Sequence, residues 1–486
     1  MSQHWDIWID TGGTFTDCLT RDPQGHTQRI KVLSSSRLRG HITGNLSANR
    51  FSFSQHWPVE ASIFTGYQLR LPAYPDWQPA RVVAMDVDKG QLKIDRNAMI
   101  PAGADFELTA GEEAPILAAR LATRTPLGAS LPPLRMRLGS TRGTNALLER
   151  KGAPVCLLIT RGFRDLPYIG SQERPELFQL DIPEPDQLYQ DVIEVEERLS
   201  AEGEVLTPLT SGHIDELVQQ VQAGGYQSVA VCLLHAYRHP QHERALREAL
   251  AEVGVKHISV SHELSPTIKL LPRTRTALVN AYLAPVIHEY LDQIARIIGV
   301  HDERSELLVM SSAGGLVPYL SYRPKDSLLS GPAGGMVGAA TIGHQMGHTR
   351  LLTLDMGGTS TDTARYDEVY DYQFTTQIDG ITMQSPALAI ETVAAGGGSI
   401  CFFDGQKLCV GPESAGADPG PACYGAGGPL TITDVNLLLG KLKPEKMGIP
   451  IHRQRAEDAL HQLQQEVERQ TGQTYPQREL LLGLEK

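Results

Sequence analysis

Two aspartates, Asp10 and Asp355, each follow a short apolar run and open the same eight-residue pattern. The copies read Asp10-Thr-Gly-Gly-Thr-Phe-Thr-Asp17 and Asp355-Met-Gly-Gly-Thr-Ser-Thr-Asp362, and six of the eight positions match. The chemistry on offer is phosphate binding with a hard metal. Gly12-Gly13 and Gly357-Gly358 carry no Cβ, so a phosphate can approach the backbone N–H groups. Thr14, Thr16, Thr359 and Thr361 add hydroxyl donors, and Thr11, Asp17, Ser360 and Asp362 complete the two candidate nucleotide-binding sets. Asp10 and Asp355 supply hard oxygens for Mg²⁺, directly or through water. A single Asp-x-Gly-Gly is usually an ordinary turn. A repeated one, each time after a strand and before a hairpin, is not explained as a turn alone.

No G-x-x-x-x-G-K-[ST] occurs, and no G-x-G-x-x-G follows a strand. No lysine lies within either turn, so charge neutralisation is expected mainly from metal and backbone dipoles.

The elements that must position these turns repeat as well. Trp5–Ile9 and Leu351–Leu354 are the strands leading in. Phe15–Thr20 and Gln28–Leu33 flank Asp22-Pro-Gln-Gly25, and Thr361–Tyr366 and Val369–Thr375 flank Asp367-Glu368, so a β-hairpin is expected after each turn. Residues 40–115 read as a strand-leaning insert. Thereafter the pattern alternates: helix 111–122, strand 135–138, a helix near Asn145, and a buried strand Val155–Thr160. Helix 214–222, strand 228–234, helix 243–253, strand 257–261, helix 276–298 with a kink at Pro285, and strand 306–311 follow. Residues 170–190 read as a connection, which sets two expected domains, 1–190 and 191–486. Near the end, residues 455–471 make an amphipathic helix with Ala456, Leu460, Leu463 and Val467 on one face and Gly472 as its stop. Leu480-Leu-Leu482 then has no visible packing partner, which reads as a truncated second domain.

The bulk numbers exclude some classes. With 486 residues, one core is not enough. A formal charge of −12 argues against nucleic acid or an anionic membrane as partner. No window approaches a membrane helix, and the first residues lack a secretory leader pattern. The six cysteines are scattered without CxxC spacing, the pattern of reduced thiols in a cytoplasmic protein.

Several motifs have competing readings. Gly331-Pro-Ala-Gly-Gly335 is expected to serve helix packing more than ligand binding. Gly396-Gly-Gly398 and the Gly/Pro-rich 411–428 read as a flexible linker by composition. Arg142 and Asn145 are either substrate or nucleotide contacts or a helix cap. His235, His239 and His242 are expected to be solvent-exposed, and Cys18 a small apolar strand residue.

The paired turns are the arrangement of the actin, Hsp70 and sugar-kinase superfamily. Further stretches narrow the likeness: Ser140-Thr-Arg-Gly-Thr-Asn-Ala-Leu-Leu-Glu149, Thr160-Arg-Gly-Phe-Arg-Asp165, Asn280-Ala-Tyr-Leu-Ala-Pro285, Ser330-Gly-Pro-Ala-Gly-Gly335, Thr392-Val-Ala-Ala-Gly-Gly-Gly-Ser399 and 411–424. With them the chain resembles the N-terminal part of the hydantoinase A/5-oxoprolinase family, and the insert and Arg161–Pro175 favour its 5-oxoprolinase branch. The resemblance implies an α/β fold of two actin/ribonuclease-H-like domains, the second incomplete, with an ATP cleft between them and a β-leaning insert. It implies ATP with Mg²⁺ (K⁺ is a further candidate), and hydrolysis of 5-oxo-L-proline to L-glutamate, with Asp10 and Asp355 as the catalytic pair that holds the metal, either of them orienting the attacking oxygen and Asp355 preferred for metal and phosphate. The likeness makes Gly396-Gly-Gly398 and 411–428 a substrate or interface loop as the alternative to a linker, and Gly397 and Gly398, with Arg142 and Asn145, become candidate substrate contacts. A small cyclic amide, a B-type domain or subunit and an oligomer are the implied partners. Hydantoinase or ketone-carboxylase A-type ATPases and a non-catalytic remnant are the alternatives. By superfamily analogy a later glycine-rich stretch would hold the adenosine, and nothing after Asp434 is expected to replace it.

Overall fold

A computed structural model describes residues 4–55, 57, 63–172, 178, 180, 186–447 and 449–486. Most of the proposed 170–190 connection, and the end of the Arg161–Pro175 stretch, therefore lie outside the described residues.

The first turn sits in the middle of a six-stranded sheet. Its order is Leu316–Pro318, Glu306–Met310, Leu134–Ser140, Trp5–Thr11, Phe15–Arg21, Thr27–Leu33. Trp5–Thr11 runs parallel to Leu134–Ser140 and antiparallel to Phe15–Arg21. The expected hairpin is present, and alternation along it buries Thr16, Cys18 and Thr20 while Asp17 and Leu19 face out. Cys18 is thus a core strand residue, and burial first, then Asp17, pushes its thiol up to about 12. The sheet takes strands from both sides of residue 190, so the sheets do not divide where the sequence suggested. Glu306–Met310 returns to lie parallel to Leu134–Ser140.

A second, all-parallel sheet, Asp191–Val195, Val155–Thr160, Ser228–Cys232 and His257–Val260, has a middle strand buried at all six positions. That is the reading of a continuous apolar run covered on both faces. Helix Leu270–Ile298 lies against it, begins earlier than expected and continues through Pro285. The insert is a closed six-stranded barrel between Leu38 and Thr109, filled by Phe51, Phe64, Tyr67, Leu69, Phe106 and Leu108. Strand alternation was legible there; closure was not.

The second turn joins Arg350–Met356 to Thr361–Asp367 in a smaller sheet. Its hairpin differs from expectation. The returning strand is only Val369–Tyr370, and Tyr372–Ile378 leaves to pair with Ile381–Leu388. Ile390–Val393 takes the place beside Thr361–Ala364 instead. Helix Ser330–Gln345 covers one face through Ala333, Met336 and Ala340, which pack with Tyr366 and Ile390. On Arg350–Met356, Leu352 (85%) and Leu354 (76%) remain exposed, and among the described residues no strand pairs with the outer edge of that strand.

The amphipathic helix is Arg453–Thr471, it buries the four residues expected, and Gly472 ends it at φ 70°. The leucines that follow do have partners. Helix Gln477–Glu485 packs Leu480, Leu481 and Leu484 against Val435, Leu460, Leu463 and Val467. The chain fold supplies what the linear pattern hid. Among the described residues, no helix is long and apolar enough to cross a membrane.

Candidate functional site

The two turns have the same internal geometry. In the first, Asp10 pairs with Asp17, Thr11 with Thr16, and Gly12 N–H donates to Phe15 O at 3.0 Å. In the second, Asp355 pairs with Asp362, Met356 with Thr361, and Gly357 N–H donates to Ser360 O at 2.9 Å. They also touch each other reciprocally. A Cβ on Gly13 would stand 2.8 Å from Thr359 Oγ1, and one on Gly358 would stand 2.8 Å from Thr14 Cβ and closer still to its hydroxyl. Each second glycine therefore leaves room for the other turn's threonine. No side chain larger than hydrogen fits there without displacement.

Between the turns lies a cavity of about 450 Å³. Asp10, Gly12, Gly13, Thr14, Asp17, Asp355, Gly357, Gly358, Thr359, Ser360, Asp362, Gly397 and Gly398 line it, as the sequence proposed. Thr11, Thr16, Thr361, Arg142 and Asn145 do not appear in its wall. Thr16 is fully buried beneath the first turn, within 3.1 Å of Ser34 Oγ, which itself donates to Gly12 O at 2.8 Å. Thr361 Oγ1 donates to Ala395 O at 2.6 Å. Both brace a turn from behind. Arg142 pairs with Glu113 at 2.9 Å and covers the Tyr290 ring, which directs it away. Asn145 is mid-helix in Arg142–Leu148, whose first flanking residue is Thr141, so it is not a cap. Its Nδ2 would lie 3.7 Å from a Cβ on Gly13, at the back of the first turn.

The glycine-rich segments are not linkers. Gly397 N–H donates to Gly357 O at 2.9 Å, and Gly398 N–H to Gly358 O at 2.6 Å, so the triple glycine lies flat beneath the second turn. Gly331 also turns out to be a cavity residue, beyond helix packing. A Cβ there would reach within 3.2 Å of Asp10 Oδ1, and one on Gly139 within 3.3 Å. Asp10 is held in a slot between two glycines.

Electrostatics mark the same carboxylates. Asp10 opens to cleft water, yet protein surrounds it closely; that enclosure, then the charges of Asp355 and Asp17, raise it to about 6. Asp362 is also raised, first by burial and then by Asp355, against a hydrogen bond from Thr392 Oγ1 at 2.7 Å. Closely placed carboxylates with raised affinity for a positive charge suit a divalent cation. Thr14 Oγ1, 4% exposed by residue, has no hydrogen-bond partner in the chain, an orphan that a phosphate oxygen would satisfy.

One residue that sequence reasoning missed is Lys31. It lies opposite Asp17 in the hairpin register, reaches its carboxylate at 2.6 Å and lines the cavity. The search for a lysine inside the turns overlooked the neighbouring strand; counting across the hairpin would have found it. The histidines are not a metal site: among the described residues no group of three or more His, Cys, Asp or Glu could hold a metal. Nor are they fully exposed, since His242 pairs with buried Glu197 at 2.7 Å and His239 packs on Gly203.

Comparison with known proteins identifies the family. The family model described as Hydantoinase/oxoprolinase matches residues 273–476, and that for the Hydantoinase/oxoprolinase N-terminal region matches 125–254. The chain belongs to the hydantoinase/oxoprolinase family. It is 40% identical over 348 residues to a 5-oxoprolinase of Dictyostelium discoideum, an alignment covering 64% of this chain and 28% of that protein. Among solved structures it is similar to the ATP-dependent caprolactamase from Pseudomonas jessenii, with 27% identity, a TM-score of 0.61, and coverage of 99% and 61% of the two chains. A nucleotide-free acetone carboxylase shares the fold at a TM-score of 0.70 with 20% identity, over 99% of this chain and 60% of the other. The mixed α/β architecture is thus that of this family. The chain spans about a quarter of the length of the 5-oxoprolinases it matches.

Proposed function

We propose that this hydantoinase/oxoprolinase chain carries the phosphate-handling part of an ATP-dependent 5-oxoprolinase, which opens 5-oxo-L-proline to L-glutamate with formation of ADP and phosphate. The observation that carries the reading is the reciprocal fit of two near-identical turns around one cavity, together with 40% identity to a 5-oxoprolinase. ATP and Mg²⁺ fit the residues present: glycine backbones free of Cβ, an orphaned buried hydroxyl on Thr14, and facing carboxylates at Asp10 and Asp355.

ATP would supply a phosphoryl group to the lactam oxygen, converting a resonance-stabilised amide into an electrophile that water can attack. Asp355 is the metal-holding carboxylate in this reading, with Asp362 beside it. Asp10, raised to about 6, is poised to hold or release a proton near neutrality and so to orient water at the reacting carbonyl. Lys31 tempers the negative charge of Asp17 and leaves the first turn the less anionic of the two. Gly331 and Gly139 fix Asp10 by leaving it a single narrow slot.

The exposed strand Arg350–Met356 favours a companion reading, that turnover requires a further B-type domain or subunit. Phosphate release should be measured with 5-oxo-L-proline, hydantoin and acetone, alone and with a B-type partner. Stimulation by 5-oxo-L-proline with equimolar glutamate supports the proposal. Stimulation by hydantoin or acetone alone reassigns the substrate, and no stimulation with any of them identifies a non-catalytic chain.

A further inference from the structure

The hairpin that departs from the repeated pattern encloses a second cavity. Tyr372–Ile378 and Ile381–Leu388 pair with each other and fold over the end of Glu306–Met310. Leu388 N–H donates to Ser312 O at 2.9 Å, and Ser312 Oγ donates to Pro386 O at 3.0 Å. Gln384 N–H donates to Thr276 Oγ1 at 2.9 Å, which ties the hairpin to helix Leu270–Ile298. The space left beneath it measures about 480 Å³. Among the described residues it shares no lining with the cleft between the turns.

Its polar lining is rich in donors. Lys325 is 3% exposed, and buried Asn280 holds it in place by accepting its backbone N–H at 3.1 Å. The Lys325 ammonium donates to Asp326 Oδ1 at 2.5 Å and to Ser385 Oγ at 2.9 Å, which leaves one of its three N–H groups unassigned. Gln384 Oε1 accepts from Ser265 Oγ at 2.7 Å and from Thr267 Oγ1, so the amide's two donors have no protein partner among the described residues. The Arg323 guanidinium also lines the cavity and forms no ion pair or hydrogen bond with the described residues. A structural tie explains Lys325 with Asp326 and Ser385. It leaves Arg323 and the Gln384 amide unexplained.

Charge separates this cavity from the first. Arg323 and Lys325 stand against Asp326 alone, so the lining is net positive in a chain of formal charge −12. The cleft between the turns has the opposite balance, with four aspartates to Lys31. One unpaired guanidinium matches a monoanion, and its fork matches a carboxylate. Leu264, Val317 and Phe374 add an apolar surface suited to a compact hydrocarbon body.

We propose that this cavity is a second ligand site that binds a small organic carboxylate. Arg323 and the unassigned Lys325 N–H hold the carboxylate, the Gln384 amide donates beside them, and the body of the ligand lies on Leu264, Val317 and Phe374. The proposal does not rest on the ATP reading of the turns. Titration of the full chain with cyclopentanecarboxylate and with cyclopentanecarboxamide, a neutral analogue of the same size, tests it. The carboxylate should bind about tenfold more tightly than the amide, and saturating magnesium tripolyphosphate should leave its affinity within about twofold. Arg323→Gln, at an exposed position, should weaken the carboxylate about tenfold. Gln384→Glu keeps the acceptor for Ser265 and Thr267 but brings a like charge to the wall, and should weaken the carboxylate at least as much. Titrations with 5-oxo-L-proline and L-glutamate identify the source. Tighter binding by either than by cyclopentanecarboxylate makes this a site for the carboxylates of the proposed reaction, and binding no tighter makes it a general carboxylate site. No binding, equal affinity for carboxylate and amide, or inorganic phosphate binding as tightly overturns the proposal. So does displacement by magnesium tripolyphosphate, or carboxylate affinity unmoved in both variants.

Discussion

The two phosphate turns are near copies, yet they sit in unequal surroundings. Register makes Lys31 the cross-strand neighbour of Asp17, while Thr392 holds the same place beside Asp362. The first turn therefore combines two carboxylates with a cation, and the second combines two carboxylates with a hydroxyl. Their sheets differ in the same sense. Trp5–Thr11 is flanked by strands on both sides, whereas Arg350–Met356 has one open edge and exposed leucines. The two turns share one backbone design, and their cross-strand neighbours give the first a cation and the second a hydroxyl, so in the proposed reading the first favours anion and the second metal.

Breaking the second turn should have the largest effect. Asp355→Asn should lower Mg²⁺-dependent nucleotide affinity roughly 100-fold, through loss of a charged metal ligand. Thr392→Val, which only removes a hydrogen bond to Asp362, should cost far less. Titration with and without Mg²⁺ separates the two. Next comes Gly358→Ala, whose new methyl would meet both the hydroxyl and the Cβ of Thr14; overpacking should cost about 1–3 kcal/mol in denaturant unfolding. Gly13→Ala meets only the Thr359 hydroxyl within 3 Å and should cost less. Equal costs would mean that the contact is more symmetric than the geometry says.

Asp10 gives a pH signature confined to the first turn. Its carboxyl is raised from 3.8 to about 6, so between those values the folded chain holds more protons than the unfolded one. Asp10 therefore makes stability fall as pH rises from about 4 to about 6, and flat above. Asp10→Asn should remove that slope and raise stability at pH 7, by on the order of 1 kcal/mol once cleft water is allowed for. Thermal melts across this range would show it, and an unchanged slope would contradict the assignment. Lys31→Met should weaken tripolyphosphate binding about threefold, the modest effect of losing one half-exposed charge. Smallest of all, Leu354→Ser on the open face should shift stability by less than about 0.5 kcal/mol in the chain alone.

The strands, the first hairpin and the turn chemistry were legible because their signals are local: period-two burial, Asp-Pro-Gln-Gly, and glycines at fixed offsets. What sequence reading lost depends on pairing over distance. Lys31 joins the site only through its register with Asp17, and Gly331 only because a helix start is brought to Asp10. The second hairpin was misread because Val369–Thr375 continues the strand pattern while the chain changes partner at Asp371. Leu480, Leu481 and Leu484 looked unpartnered because their companions lie on other elements.

The central claim is that both turns grip one polyphosphate. A double-mutant cycle on Asp10→Asn and Asp355→Asn, read as MgATP affinity by calorimetry, tests it most directly. If the two carboxylates serve one metal–phosphate group, the double variant should lose much less than the product of the single losses. Strictly multiplicative losses, or MgATP binding that survives undiminished in the double variant, would contradict a shared site.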